Sequence, residues 1–185
     1  MDTLDTGKDL SIGFDAKRVF YNFTGLGNYS RTLLYHLRQY YPDIDLHLFT
    51  PKAKSHIASI PFLAEPGFRV HEAGFRPRSL WRSFGIPRDL KTNGIKLYHG
   101  LTQEVPFSPV TSDTKFIVSI HDLIFRFYPN QYKPIDRLIY NGKLAYACHR
   151  ADSVVTISES TRSDILATYN IDPNKVRVIP QTCAN

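Results

Sequence analysis

Short apolar runs alternate along this chain with longer amphipathic ones, and that alternation restricts the fold more than any other feature. The runs "LSIGFD" (Leu10 to Asp15), "IDLHLFT", "GFRVHEA", "IKLYHG", "KFIVSIHDL" (Lys115 to Leu123), "DSVVTIS" and "KVRVIP" have the length and apolar character of strands. Between the first two, "NYSRTLLYHLRQYY" places Tyr29, Leu33, Leu34, Leu37 and Tyr41 three or four apart, which predicts a helix from Asn28 to Tyr41, stopped by Pro42. A weaker helix is expected around Pro51 to Ser59. Pro134 opens another that runs to about His149, with Ile135, Leu138, Ile139, Gly142 and Tyr146 along one side. "SESTRSDILATY" reads as a helix capped by Ser158 or Ser160. Strands separated by helices pair in parallel through crossovers. The expected fold is therefore Rossmann-like α/β, an open, mainly parallel sheet with helices on both faces.

In such sheets a site forms at the carboxyl ends of the strands. Polar residues that follow strands are thus the ones to inspect. Four clusters qualify: the glycine stretch after Asp15, "YHGLTQE" after Leu97, "HDL" after Ile120, and "TISES" after Val155.

Length and composition are compatible with one sizeable domain. The 185 residues are 42% hydrophobic and 13% aromatic, enough to build a core, and no repeat or low-complexity tract interrupts them. The domain is expected over residues 10–180, after a tail at 1–9. Two cysteines, Cys148 and Cys183, are too few for a disulfide framework and lack the neighbours of a metal site. A reducing cytoplasm is the expected location. "MDTLDTGKDLSIGFD" has acids where a secretory signal has lysines, and no run approaches the roughly 20 apolar residues of a membrane span.

The net charge of +6 raises the question of an anionic partner. Its densest stretch is "FRPRSLWRSFGIPRDLK", residues 75–91, with five basic residues, one acid, Trp81 and two phenylalanines. That pattern suits a solvated face, an anionic membrane surface or a nucleic acid. No RNP, KH or zinc-finger pattern accompanies it, so no nucleic-acid partner is expected.

"FTGLGNYSR" has the look of a phosphate-binding loop. A dinucleotide fingerprint needs its first glycine almost directly after the strand, but Gly25 lies ten positions beyond Asp15, and Ser30 stands where the third glycine belongs. The second strand also ends in Thr50 and Pro51 rather than a ribose-binding acid. A Walker loop is excluded by the missing Gly-Lys-Ser/Thr. Two readings remain: a flexible turn, or a backbone cradle in which Gly25 and Gly27 let an anion approach the amino end of a helix beginning near Asn28.

Among seven histidines, His99 and His121 stand out because each ends an apolar strand beside another polar group. Zinc is disfavoured by the absence of His-Glu-x-x-His, a cysteine pair or a third ligand, and no metal is expected. Hydrogen bonding to a substrate hydroxyl suits His121 better. Ser158 serves equally as cap or ligand, and a Gly-x-Ser-x-Gly elbow is missing.

In order and spacing, "IGFDAKRVFYNFTGLGNYSRTLL", "LYHGLTQEVP", "VSIHDLIFRFYP", "DRLIYNGKLAYACHRADSVVTISESTRSDI" and "IDPNKVRVIPQTC" resemble the N-terminal half of family 4 retaining glycosyltransferases of the GT-B fold. The likeness is strongest to mannosyltransferase-like members of polysaccharide biosynthesis. The resemblance implies an enzyme that moves a hexose from a nucleoside diphosphate sugar to a glycan or lipid-linked acceptor, with no cofactor. By the same likeness Gly25, Leu26, Gly27 and Asn28 reach the donor diphosphate, and His121 lies near the transferred sugar as the catalytic residue. Tyr98, His99, Gly100, Glu104, Asp122, Ser158, Glu159 and Arg162 would line the acceptor side and the cleft floor.

Such enzymes have a second half that holds the nucleotide sugar. Residues 181–185 would begin the linker to it, and the present chain alone is expected to be inactive, resting in the cytoplasm or peripherally on the inner face of the membrane through residues 75–91. The alternative is a non-catalytic module that binds a glycan or lipid-linked sugar beside a separate catalytic subunit.

Overall fold

β-branched and aromatic residues concentrate in the runs read as strands, and in the computed structural model, which describes residues 10–107 and 113–181, each of those runs forms one. The order is β1 (Ser11–Asp15), α1 (Lys17–Tyr21), α2 (Gly25–Tyr40), β2 (Asp45–Thr50), α3 (Pro61–Ala64), β3 (Phe68–Glu72), α4 (Arg78–Leu80), a π-helical turn (Trp81–Gly85), α5 (Ile86–Thr92) and β4 (Leu97–Gly100). It continues with β5 (Lys115–Ile120), α6 (Ile124–Phe127), α7 (Pro134–Arg150), β6 (Ser153–Thr156), α8 (Glu159–Tyr169) and β7 (Val176–Val178).

The chain divides into two compact units. One holds the described residues up to His99 together with the stretches that end at Phe107 and Lys115; the other holds Gly100–Val105 and the chain from Phe116 onward. In the first, the strand order is β3-β2-β1-β4 with parallel pairing throughout. In the second, β5, β6 and β7 lie side by side, again parallel.

The Rossmann-like α/β expectation holds, and the burial pattern shows why. Leu46, His47, Leu48, Phe49 and Thr50 are buried in succession, although neighbours on a strand point to opposite faces. Both faces of β2 must therefore be covered, the condition for parallel strands. Core side chains such as Phe14, Leu34, Phe62 and Tyr98 fill the first unit, and Phe116, Val118, Leu144, Val154 and Ile165 the second.

Two helix expectations need correction. Residues 51–59 form bends and a turn, with the Ser59 hydroxyl donating to the Lys54 carbonyl at 2.8 Å, and the helix begins only at Pro61. A proline fits a first helical turn, and Pro61 takes that position. In α7 the residues Ile135, Leu138, Ile139 and Gly142 face outward, while Leu144, Ala147 and Cys148 are buried. Periodicity located the stripe correctly, but a stripe does not say which side of a helix meets the core.

Candidate functional site

β1 lies between β2 and β4, so the chain leaves it first to one side and later to the other. Such a reversal opens a crevice outside the carboxyl ends of β1 and β4. Asp15, the last residue of β1, stands there buried. Its Oδ1 accepts from the Lys17 amide at 3.2 Å and its Oδ2 from the Arg82 guanidinium at 2.6 Å. Tyr98 is buried and packs its ring 6.1 Å from that of Phe49, so it belongs to the core. His99 is half-buried, its ring 6.0 Å from Phe14.

The glycine stretch proves to be helix. Gly25, Leu26, Gly27 and Asn28 make the first turn of α2, which starts three residues before the apolar period reveals it, because glycine contributes neither propensity nor an apolar side chain. The turn is held by Asn22. Its Oδ1 accepts from the Thr24 amide, the Thr24 hydroxyl and the Gly27 amide, each at 3.0 Å. A β-carbon on Gly27 would collide with the Asn22 carbonyl, whereas one on Gly25 would meet nothing within 4 Å. Gly27 is thus required by the packing of this turn, and its amide is already occupied; Gly25 is exposed and open to a ligand.

Behind the turn lies Arg31, only 7% exposed. Its Nη1 donates to the carbonyls of Val19 at 3.0 Å and Asn22 at 2.8 Å, and its Nη2 to Asn28 Oδ1 at 2.6 Å. Among the described residues no carboxylate pairs with it. A buried cation, held by neutral oxygens and the Phe23 ring at 5.5 Å rather than by a carboxylate, therefore adds to the positive end of the helix dipole. Neither Asn22 nor Arg31 was expected from sequence. An Asn two residues before Thr24 is an Asx-turn signal that could have revealed the first; an arginine within an amphipathic helix gives none.

In the second unit the segment after β4 folds back on itself. A β-carbon on buried Gly100 would strike the Glu104 carbonyl, and Gln103 adopts a left-handed φ of 62°. The Gln103 amide donates to the Ser119 carbonyl at 2.9 Å and its side chain to the Asp122 carbonyl at 3.1 Å. His121 follows β5, and carbonyls accept only, so its Nε2–H donates to Leu101 O at 3.0 Å. Nδ1 then accepts from the Gln181 side-chain amide at 2.8 Å. Burial lowers the pKa of His121 below its ordinary value, opposed in part by the Leu101 carbonyl and Asp122, so the ring is neutral with its proton on Nε2.

The other expected residues divide between this network and the surface. Thr161 donates from its hydroxyl to the His121 carbonyl at 3.2 Å, and its amide is capped by Ser158 Oγ at 3.1 Å, which settles Ser158 as the N-cap of α8. Asp122 accepts from the Ile124 amide at 3.1 Å, and Glu104 pairs with Lys143 at 2.8 Å. Glu159 and Arg162 approach only to 4.0 Å on the surface of α8, a pair of little energetic weight. Thr161 and Gln181 were not foreseen, and Leu101 and Gln103 only as members of the "YHGLTQE" cluster, since all four act through contacts that only the folded chain creates.

Residues 75–91 are not a uniform basic patch. Trp81 is buried with its Nε1–H donated to Asp89 at 2.8 Å, and Arg82 is taken up by Asp15. Arg76, Arg88 and Lys91 remain exposed, beside Phe75 and Phe84. Among the described residues no helix is long and apolar enough to cross a membrane.

Residues 23–182 match Glycosyltransferase Family 4. The chain belongs to that family. Solved structures resembling this family 4 chain include a variant of the wall teichoic acid polymerase TagF, at 12% identity and a TM-score of 0.52 over 96% of the chain and 39% of TagF. A glycosyltransferase from Rickettsia africae aligns at 13% and 0.53, covering 93% of this chain and 43% of that one. The lipopolysaccharide outer core galactosyltransferase WaaB aligns at 13% and 0.51, covering 95% and 46%. At these identities the likeness is one of fold, that of a GT-B half, and the chain spans less than half the length of each. No curated protein matches the sequence.

Proposed function

We propose that this family 4 chain is the acceptor-side half of a retaining glycosyltransferase. It would move a hexose, mannose or glucose-like, from a nucleoside diphosphate sugar to a glycan or lipid-linked acceptor of a bacterial surface polysaccharide. The observation that carries the reading is the amino end of α2, where Gly25 is open and the buried Arg31, with no carboxylate partner among the described residues, is tied to the same turn through Asn22 and Asn28. The names of TagF and WaaB, a teichoic acid polymerase and a lipopolysaccharide galactosyltransferase, support a surface polymer as product.

In the reaction the acceptor oxygen bonds to the anomeric carbon while the bond from that carbon to the diphosphate oxygen breaks. The hydroxyl proton passes to the departing diphosphate. Attack from the side of the leaving group keeps the configuration, and stabilising the diphosphate is then the main task of the protein. The end of a helix contributes about 0.3–1 kcal/mol, up to ~2 when partly buried, so Arg31 and the second half of the enzyme must supply the remainder. His121 would serve as a neutral hydrogen-bonding group for a sugar hydroxyl, its Nδ1 becoming accessible once Gln181 moves away.

The test is a screen of nucleoside diphosphate sugars against the 185-residue chain and against a version joined to a nucleotide-sugar-binding half. Transfer is expected only from the second. Turnover by the short chain alone would refute the half-enzyme reading. Transfer undiminished in both Gly25→Trp and His121→Ala would overturn the placement of the site.

A further inference from the structure

In the first unit, α4, the π-helical turn and α5 follow one another without a break, because Leu80, Trp81, Gly85 and Ile86 at their junctions all keep right-handed helical backbone. Arg78 to Thr92 is thus one helical segment. Its inward side holds Trp81, Gly85, Ile86 and Leu90, all buried. Its outward side carries Leu80, Phe84, Arg88 and Lys91, all exposed and three or four positions apart, which makes them neighbours on one helix face. Phe75 and Arg76, just before the segment, are exposed too. The aromatic groups are held in place. Phe75 lies against Gly85, where a β-carbon would come within 2.8 Å of its ring, and Phe84 stacks on Phe107 at 5.6 Å. The Phe107 amide in turn donates to the Ser83 carbonyl at 2.7 Å.

Within residues 75–91 the one carboxylate, that of Asp89, accepts from the indole of buried Trp81 at 2.8 Å. Among the described residues no carboxylate pairs with Arg76, Arg88 or Lys91. Three cations without acidic partners thus accompany three exposed apolar side chains. We infer that this face, presented by Phe75, Arg76, Leu80, Phe84, Arg88 and Lys91, docks on an anionic lipid surface. A helical segment lying in the plane of a bilayer sinks its apolar groups to the headgroup boundary while its cations meet anionic headgroups. Both kinds of side chain are then used. A nucleic acid would engage the cations and leave Leu80 in water. A second copy of the chain, docked symmetrically, would set the same cations against one another.

The experiment sediments the 185-residue chain with vesicles of phosphatidylcholine alone or mixed with phosphatidylglycerol. Capture is expected with the mixed vesicles only, and it should weaken as salt is raised. Arg88→Gln combined with Lys91→Gln should weaken it about 25-fold, at about fivefold for each cation near an anionic surface. Phe84→Ala should weaken it about tenfold, because a ring 61% exposed in water has most of its area left to bury. Phe84→Trp supplies a reporter on the same face. Its emission should shift to the blue when mixed vesicles are added.

Failure of mixed vesicles to capture the chain overturns the inference, as does equal capture by phosphatidylcholine alone. Capture that is unchanged in the folded variants, or a Phe84→Trp emission that ignores the vesicles, means that another face meets the lipid and overturns it as well. Binding to random RNA that is tighter than vesicle capture and indifferent to Phe84→Ala gives the face to a nucleic acid. Self-association abolished by Phe84→Ala gives it to a second copy; either result refutes lipid docking. If far-UV circular dichroism shows that Phe84→Ala fails to fold, Leu80→Asn replaces it. None of these readouts involves sugar transfer, so they stand or fall independently of the proposed function.

Discussion

The carbonyl oxygen of Asn22 occupies the space that a β-carbon on Gly27 would need, and the Asn22 side chain holds the Gly27 amide at 3.0 Å. One residue thereby sets both the chemistry and the sterics of the turn that begins α2. Gly25, two positions earlier, has open space around it.

The two glycines should respond oppositely to the same substitution. Gly27→Ala is expected to destabilise the chain by about 1–3 kcal/mol, the usual cost of forcing a backbone shift by overpacking. Gly25→Ala should leave stability unchanged or raise it by up to ~1 kcal/mol, because alanine restricts the unfolded chain and favours helix. Urea unfolding midpoints of the two variants give the comparison, and equal losses would contradict the structure.

Asp15 and Arg82 form a buried pair at 2.6 Å, one at the end of β1 and the other in the π-helical turn. Arg82→Ala leaves the Asp15 carboxylate buried without its cation and should cost about 3–5 kcal/mol. Replacing both partners, as Asp15→Asn with Arg82→Met, should recover a substantial part of that loss. A double-mutant cycle in urea would show the coupling, and additive losses would mean that the pair carries no interaction energy.

His47 and His71 face each other across β2 and β3, Nδ1 to Nε2 at 2.9 Å with rings stacked at 5.0 Å. Burial, the neighbouring His71 and Arg69 lower the pKa of His47 to about 4, with Asp45 opposing, and His71 is lowered as well. The unfolded chain therefore binds protons first as pH falls. Stability from this pair is fully present above the ordinary histidine value near 6.5 and is lost between there and about 4. Unfolding midpoints at pH 7 and pH 4.5 should differ, and His47→Gln should flatten the difference.

His121 should remain neutral at pH 7 with its proton on Nε2, because Leu101 offers only a carbonyl and burial opposes charging. Nitrogen-15 shifts of the ring would report this tautomer directly. Proton uptake is expected only below the ordinary histidine range. A protonated ring at neutral pH, or a proton on Nδ1, would exclude the role assigned to it, that of a neutral ring whose Nδ1 accepts.

The succession of strands and helices along the chain, the parallel class and the location of polar clusters were legible because they depend on local pattern. A run such as "KFIVSI" is a strand wherever it packs, and His121 must then follow one. The start of α2 was not legible, since its first turn is built from two glycines and held by Asn22, which lies outside the helix. Nor was the inward side of α7, because Ile135, Leu138 and Ile139 form as good a stripe as a core would, yet remain exposed. Trp81 showed the converse, being buried within the basic stretch 75–91, and Tyr98, which the family resemblance set on the acceptor side, is core.

The sequence by itself determined that this chain is a parallel α/β protein of the glycosyltransferase type, since periodicity and ordered motifs are properties of neighbours along the chain. Only the tertiary structure decided that Gly27 serves packing while Gly25 is open, that Arg31 and Arg82 are drawn inside, and that Phe84, Arg88 and Lys91 stay outward on one helical segment. Those outcomes depend on which groups meet across distant segments, and on the cost of leaving a buried polar group unpaired, which no local pattern encodes.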